Sequence, residues 1–292
     1  MNVIKGYQLL GAWKTQNAGT CMWNFCKKSE REYFIKQFEK SYPTDESVLS
    51  AALIERRRRS CEKFYSEKKK FYDVLSCCRT GNNVVVQDFF RSGSKYYAVT
   101  DRVYADGTDP SIISELTKEK KETLLRSILY SIDRLHKAGI VHADIKPDNV
   151  LLKRTHDGFY TAKIIDFDAG FLVESGPDKI QGDDVYFAPE AVLKSQGKSV
   201  RLDEKIDIFA LGILFHEYWT GKRPQIRGDE NYICEAVYNG SGIQLSNDIP
   251  LELRTTISRM LSRDPNARPS AAEILRGFGA KDPGFHWPTD LS

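Results

Sequence analysis

Two short stretches leave this chain little freedom. In the first, His142, Asp144, Lys146, Pro147, Asp148 and Asn149 lie between Val141 and the apolar run Val150-Leu151-Leu152. In the second, Asp166 and Asp168 flank Phe167 directly after Ile164-Ile165. Apolar runs this short read as buried strands, so a carboxylate, a cation, an amide and a second carboxylate are held at the ends of rigid elements. One Asp can accept a proton from an attacking hydroxyl, and Lys146 can neutralise charge on a group in flight. Asn149 and Asp166 offer oxygen ligands of the kind Mg²⁺ prefers. The pattern points to a metal–phosphate site.

The rest of the composition narrows the setting. A chain of 292 residues suits one two-part unit or two small domains. With 41% hydrophobic and 28% charged residues it reads as globular, and a net charge of +3 makes no global case for nucleic acid. No run of 18 apolar residues occurs, and Met1-Asn2-Val3-Ile4-Lys5-Gly6 has no apolar leader core. The expectation is a cytoplasmic chain without a membrane partner. Cys21, Cys26, Cys61, Cys77, Cys78 and Cys234 form no paired zinc spacing, so reduced thiols are expected.

His142-x-Asp144-x-Lys146-Pro147-x-Asn149, the strand after it and Ile165-Asp166-Phe167-Asp168 resemble the catalytic and metal-binding loops of eukaryotic-type serine/threonine protein kinases. The resemblance covers roughly residues 7–276. It implies an α+β, protein-kinase-like two-lobed fold: an antiparallel-sheet lobe with one long helical region over residues 1–100, a hinge over 101–106, and a mainly helical lobe over 107–280. A tail over 281–292 is left, to be packed by Phe285 and Trp287 or to lie loose. The implied cofactors are ATP and Mg²⁺, with Mn²⁺ as the alternative metal, and the implied partners are proteins bearing Ser or Thr acceptors. Asp144 would be the base, Lys146 the stabiliser of the transferring group, and Asn149 with Asp166 the metal ligands. His142 is a structural hydrogen-bonder beside a carboxylate that already has the base role.

Along the first hundred residues the strands read as 7–10, 21–26 and 33–38, with a hairpin of 84–90 and 95–100. Residues 16–20 stand where the family has its glycine-rich loop, with Gly19 the one glycine kept; by composition alone they are a hairpin turn. Lys36 shares a strand face with Phe34 and Phe38 and matches the phosphate-pairing lysine, while Phe34 stands where the family usually has Ala above the adenine. Thr100, Asp101 and Val103 fall at the adenine-facing hinge by order. Residues 45–75 read as helical with Thr44 or Asp45 as N-cap, and with an extra helix or bend near 56–59. The family needs a Glu there to hold Lys36. Helical phase sets Glu67 among Phe64, Phe71, Val74 and Leu75, whereas Glu55 and Glu62 point away, so Glu67 is the choice. The basic run over 56–70 is either a docking surface or, with its interleaved Glu residues, a solvated face.

Farther on, a core helix with Leu124, Leu125, Ile128, Leu129, Ile132 and Leu135 ends at Gly139. The resemblance implies that Asp207 anchors the catalytic loop and that Glu190 pairs with Arg268. Four departures stand out. Ala143 replaces the Arg that binds an activation-segment phosphate, and the segment 171–187 has only Ser175 and Tyr186 as hydroxyls, which implies activity without phosphorylation there. Asp168 replaces a glycine, to hold the loop in one state or to alter metal preference. Asp183 stands where a Thr touches the base and the lysine. The alternatives to an active protein kinase are a nucleotide-binding pseudokinase or scaffold and a kinase-fold phosphotransferase for small molecules.

Overall fold

Arg31–Ser41 is the longest strand of the protein, and its alternation sets the architecture of the amino-terminal part: Ile35 and Gln37 face one way, and Phe34, Lys36 and Phe38 the other. The computed structural model describes residues 3–16, 19–43, 50–177 and 179–279. It divides into two units, Met1–Arg79 with Val84–Val103, and Thr80–Asn83 with Tyr104–Ser292.

The first unit is a six-stranded antiparallel sheet and one helix. In chain order these are β1 (Val3–Ile4), β2 (Tyr7–Leu9), β3 (Met22–Lys28), β4 (Arg31–Ser41), α1 (Ala51–Ser76), β5 (Asp88–Ser92) and β6 (Lys95–Asp101). Sheet order is β1-β2-β3-β4-β6-β5. Strand twist curls the sheet until its two edges touch. Lys5, in the turn after β1, reaches Asp88 at 3.1 Å, and the Tyr7 ring stacks on Phe90 with centroids 6.1 Å apart. Tyr7, Cys26, Ile35, Phe90, Tyr97 and Val99 fill the curl. The other face carries α1 on an aromatic seam, with centroid distances of 5.5 Å for Phe38–Phe64, 5.3 Å for Phe64–Tyr96 and 5.2 Å for Tyr72–Phe89.

α1 departs from expectation in three ways. Its N-cap is Ser50, whose Oγ accepts the Leu53 amide at 3.4 Å; Thr44 and Asp45 lie outside the described residues. It runs unbroken for 26 residues, with neither a break nor a second helix at 56–59, because Arg59 pairs with Glu55 at 2.9 Å and keeps the charged turn regular. Its buried side chains are Ile54, Cys61, Phe71, Tyr72 and Leu75, so Glu67 is on the exposed face and pairs with Lys63 at 3.6 Å. The expected partner for Lys36 is therefore corrected. In the hairpin, pairing starts at Asp88 instead of Val84, and the short β1 was not anticipated. The tail residues Phe285 and Trp287 lie outside the described residues.

The second unit is mainly helical. It comprises α2 (Pro110–Ser114), α3 (Lys118–Lys137), β7 (Ile140–Val141), β8 (Val150–Arg154), β9 (Tyr160–Ile164), β10 (Phe171–Leu172), α4 (Pro189–Ser195), α5 (Lys205–Thr220), β11 (Gln225–Ile226), α6 (Ile233–Asn239), β12 (Ile243–Gln244), α7 (Leu251–Met260) and α8 (Ala271–Gly279). The leucine–isoleucine stripe of α3 is buried throughout, as its spacing predicts. Gly139, at φ +72°, donates its amide to the His136 carbonyl at 3.0 Å and turns the chain into β7. Every residue of α5 from Ile206 to Trp219 is buried, so this helix, apolar nearly all round, is the core on which the site is mounted. The β8–β9 ribbon pairs Val150 with Ile164 and thereby brings Asn149 beside Ile165.

Candidate active site

The catalytic-loop residues owe their shape to a buried carboxylate. Asp207, in the first turn of α5 and 1% exposed, accepts the amides of His142 and Ala143 at 2.8 Å each, and lies 3.0 Å from His136 Nε2. Ala143 has φ +64°, a left-handed conformation that a side-chain-bearing residue resists, and the two bonds to Asp207 hold it there. His142 is fully buried; its Nδ1 accepts the Asp144 amide at 3.3 Å, so Nε2 carries the proton given to the Ile165 carbonyl at 3.0 Å. Nδ1 thus braces the turn of its own loop and Nε2 ties that loop to the next, the structural role expected of His142.

Asp144 emerges with both carboxylate oxygens oriented. Asn149 Nδ2 donates to its Oδ2 at 2.8 Å and to its backbone carbonyl at 2.7 Å. The Asp183 amide donates to its Oδ1 at 3.1 Å, and Lys146 Nζ lies 3.3 Å from the same oxygen. Asn149 Oδ1 accepts no hydrogen bond among the described residues, and the Ile165 amide donates to the Asn149 carbonyl at 3.0 Å, one residue before Asp166. Asp166 has φ +59° and its Oδ1 accepts the Asp168 amide at 3.4 Å. An unengaged amide oxygen beside a carboxylate is a hard-oxygen pair. It suits Mg²⁺, which keeps waters and phosphate oxygens for its other positions. Groups of three or more His, Cys, Asp or Glu poised for a metal do not occur among the described residues.

The segment after β10 closes over this loop. At Gly182, with φ +141°, an added Cβ would meet the Ala143 carbonyl oxygen and the Phe187 ring, each at 2.7 Å, so only glycine permits the approach that aligns Asp183 with Asp144. Tyr186 gives its hydroxyl proton to Glu217 at 2.7 Å, and Arg223 lies 3.5 Å from the same carboxylate. Burial pushes both the Tyr186 hydroxyl and the Glu217 carboxyl up from their ordinary values. Below the segment, Arg268 grips Glu190 through two bonds of 2.6 and 2.9 Å, with the arginine side chain fully buried. Residues 19–277 match the family described as the protein kinase domain.

The chain belongs to the protein kinase family.

Among its relatives is calcium-dependent protein kinase 27 of Arabidopsis thaliana, 33% identical over 159 residues, which are 52% of this chain and 31% of the relative. The serine/threonine-protein kinase cds1 of Schizosaccharomyces pombe is 29% identical over 231 residues, 75% of this chain and 48% of the relative. A probable myosin light chain kinase of Dictyostelium discoideum is 28% identical over 210 residues, 66% of this chain and 64% of the relative. The chain thus spans between about a third and two-thirds of the length of these kinases. Its fold class is the α+β protein kinase fold, a curled sheet in one unit and helices in the other.

Within this kinase domain, Asp144, Lys146, Asn149 and Asp166 stand together in the second unit. In the first unit Lys36 is buried on β4, opposite Trp23 of β3 and Ala98 of β6. Thr100 pairs in register with Phe34 and shares the Lys36 face; Asp101 ends β6, and Val103 follows it. Phe34 stacks on Trp23 at 5.5 Å, so its ring belongs to an aromatic ladder along β3 and β4. Gly19 has φ +56° with open space where a Cβ would be, while Asn17 and Ala18 lie outside the described residues. Asp168 is not in a left-handed conformation, so replacing glycine there strains nothing. Sequence reasoning missed Gly182 and the Tyr186–Glu217 bond. Of these, only the lone glycine before two aspartates left a local trace.

Proposed function

We propose that this kinase domain uses ATP and Mg²⁺ to phosphorylate serine or threonine hydroxyls of protein substrates in the cytoplasm, and that it does so without phosphorylation of its own activation segment. The orientation of both Asp144 oxygens carries this proposal. A carboxylate held by Asn149 and by the Asp183 amide is aimed as a proton acceptor for an incoming hydroxyl. In the transfer, the bond from the γ-phosphorus to its bridging oxygen breaks, a new bond to the acceptor oxygen forms, and the hydroxyl proton passes to Asp144. Lys146 stabilises charge on the moving group, and Lys36 pairs with the nucleotide phosphates. Asn149 Oδ1 and Asp166 would hold Mg²⁺, which neutralises phosphate charge when bound. Thr100, Asp101 and Val103 would meet the adenine edge.

Lysine two residues after the base, together with the name of the fission-yeast relative, supports Ser and Thr as acceptors. Independence from segment phosphorylation is supported by Ala143, whose methyl group cannot bind phosphate. It is supported too by the Tyr186 hydroxyl, which is engaged by Glu217. A second reading, nucleotide binding without transfer, is favoured by the reduced glycine loop, in which Gly19 is the one glycine kept.

Labelled ATP with Mg²⁺ and generic protein acceptors tests these together. Label is expected on Ser and Thr, with Asp144→Asn lowering the rate about 10²–10⁴-fold and Ser175→Ala staying active. Loss of activity in Ser175→Ala overturns the independence from segment phosphorylation. Nucleotide binding with no transfer supports the second reading, and turnover only on small hydroxyl compounds a small-molecule phosphotransferase.

A further inference from the structure

Lys146 is shared. Its ammonium lies 3.3 Å from Asp144 Oδ1 and 3.6 Å from Asp183 Oδ2, so two carboxylates hold one cation. Asp183 is fixed in this stance by three features independent of the ion pair: Gly182 lets the backbone approach the catalytic loop, the Asp183 amide binds Asp144, and Asp183 Oδ1 accepts the Val185 amide at 3.1 Å. The second carboxylate is thus built into a turn and is not a chance rotamer of a surface side chain.

We infer that Asp183 is a positioning residue that restrains Lys146, drawing its ammonium back toward the segment and away from the transferring phosphoryl group. This rests on the proposed phosphotransfer at Asp144. In the ground state the arrangement is stable, because each carboxylate satisfies part of the ammonium. As negative charge builds on the group in flight, Lys146 must exchange its contact with Asp183 for one with phosphoryl oxygen. The field of Asp183 opposes that exchange. Since the contact is lost only on the way to the transition state, its cost falls on the chemical step and not on acceptor binding. A threonine at this position would donate a hydrogen bond to the base and carry no charge to hold the lysine.

The Asn and Thr variants separate restraint from support. Asp183→Asn keeps an oxygen for the Val185 amide and removes the charge; Asp183→Thr keeps a hydrogen-bonding oxygen of a different shape. The first-turnover rate would be measured by rapid quench with saturating ATP and Mg²⁺ and a serine-containing acceptor peptide, and the acceptor KM by steady-state assay. Both variants are expected to accelerate the first turnover about two- to fivefold, the range that a partly exposed ion pair allows, with the acceptor KM unchanged. Loss of a merely structural contact would slow the reaction instead. A first-turnover rate that is unchanged or lower in Asp183→Asn overturns the restraint; if that variant does not fold, Asp183→Thr decides on the same criterion. Absence of transfer in the wild-type protein with nucleotide bound overturns the kinase proposal itself, and the restraint with it.

Discussion

Asp207 and Arg268 are single residues that fold loops around themselves. Each is buried, and each meets its charge with several partners, which is the condition under which a buried ion is tolerated. Arg268 binds Glu190 twice, gives further bonds to the carbonyls of Lys205 at 2.9 Å and Ser262 at 2.9 Å, and lies over the Phe209 ring at 5.0 Å. Taking away one partner leaves the other charge stranded. Glu190→Ala is therefore expected to lower stability by about 3–5 kcal/mol in urea denaturation, with Glu190→Ala/Arg268→Met recovering more than half of the loss. A single-variant loss below about 1 kcal/mol would show that the pair does not hold the segment. Both partners were legible from their motifs, because the elements that carry them have distinctive local sequences. The bond between Tyr186 and Glu217 was not, since neither neighbourhood marks it.

At the scale of elements, α1 shows where pattern reading goes wrong. Counting only aliphatic residues and phenylalanine centres the buried stripe on Phe64, Phe71, Val74 and Leu75. The observed stripe is turned by roughly 70°, at 100° per residue, toward Cys61, Tyr65, Lys68 and Tyr72. Cys61 and Tyr72 are buried there and Tyr65 and Lys68 half-buried, because their bodies are apolar and their polar ends reach the edge. The Tyr96 hydroxyl donates to the Cys61 carbonyl at 3.4 Å, and the Lys68 ammonium lies over the rings of Phe71 and Tyr72 at 5.8 and 5.7 Å. With this phase Glu67 is left in water. Glu67→Ala is expected to change stability by no more than about 0.5 kcal/mol, whereas Phe71→Ala, in the seam, is expected to cost about 3–5 kcal/mol. Chemical denaturation of both variants checks this; equal losses would return Glu67 to the packed face. The β8–β9 ribbon behaved as its apolar runs foretold: Val150 pairs with Ile164 and Leu152 with Ala162, and a one-residue slip would turn the buried set to the other face.

At the scale of the whole molecule, buried phenols set an alkaline limit. Burial, with Asp88 nearby, pushes Tyr7 up to about 12, and burial pushes Tyr96 up to about 12 and the Cys26 thiol to about 12. For groups whose acidity is weakened by folding, the stabilisation is full below their unfolded values and disappears as pH rises through the folded ones. Stability to urea is thus expected to fall between pH about 10 and 12, and Tyr7→Phe to make that fall shallower; an unchanged slope would show that Tyr7 ionises as freely as in the unfolded chain. No helix among the described residues is long and apolar enough to cross a membrane. The amino-acid sequence alone determined the longer strands of the first unit, the α3 stripe and the order of Asp144, Lys146, Asn149 and Asp166, because these depend on neighbours a few positions apart. Only the tertiary structure decided the phase of α1, the close approach at Gly182 and the bond between Tyr186 and Glu217. Each of these is set by a surface that another part of the chain supplies, and short-range periodicity carries no record of that surface.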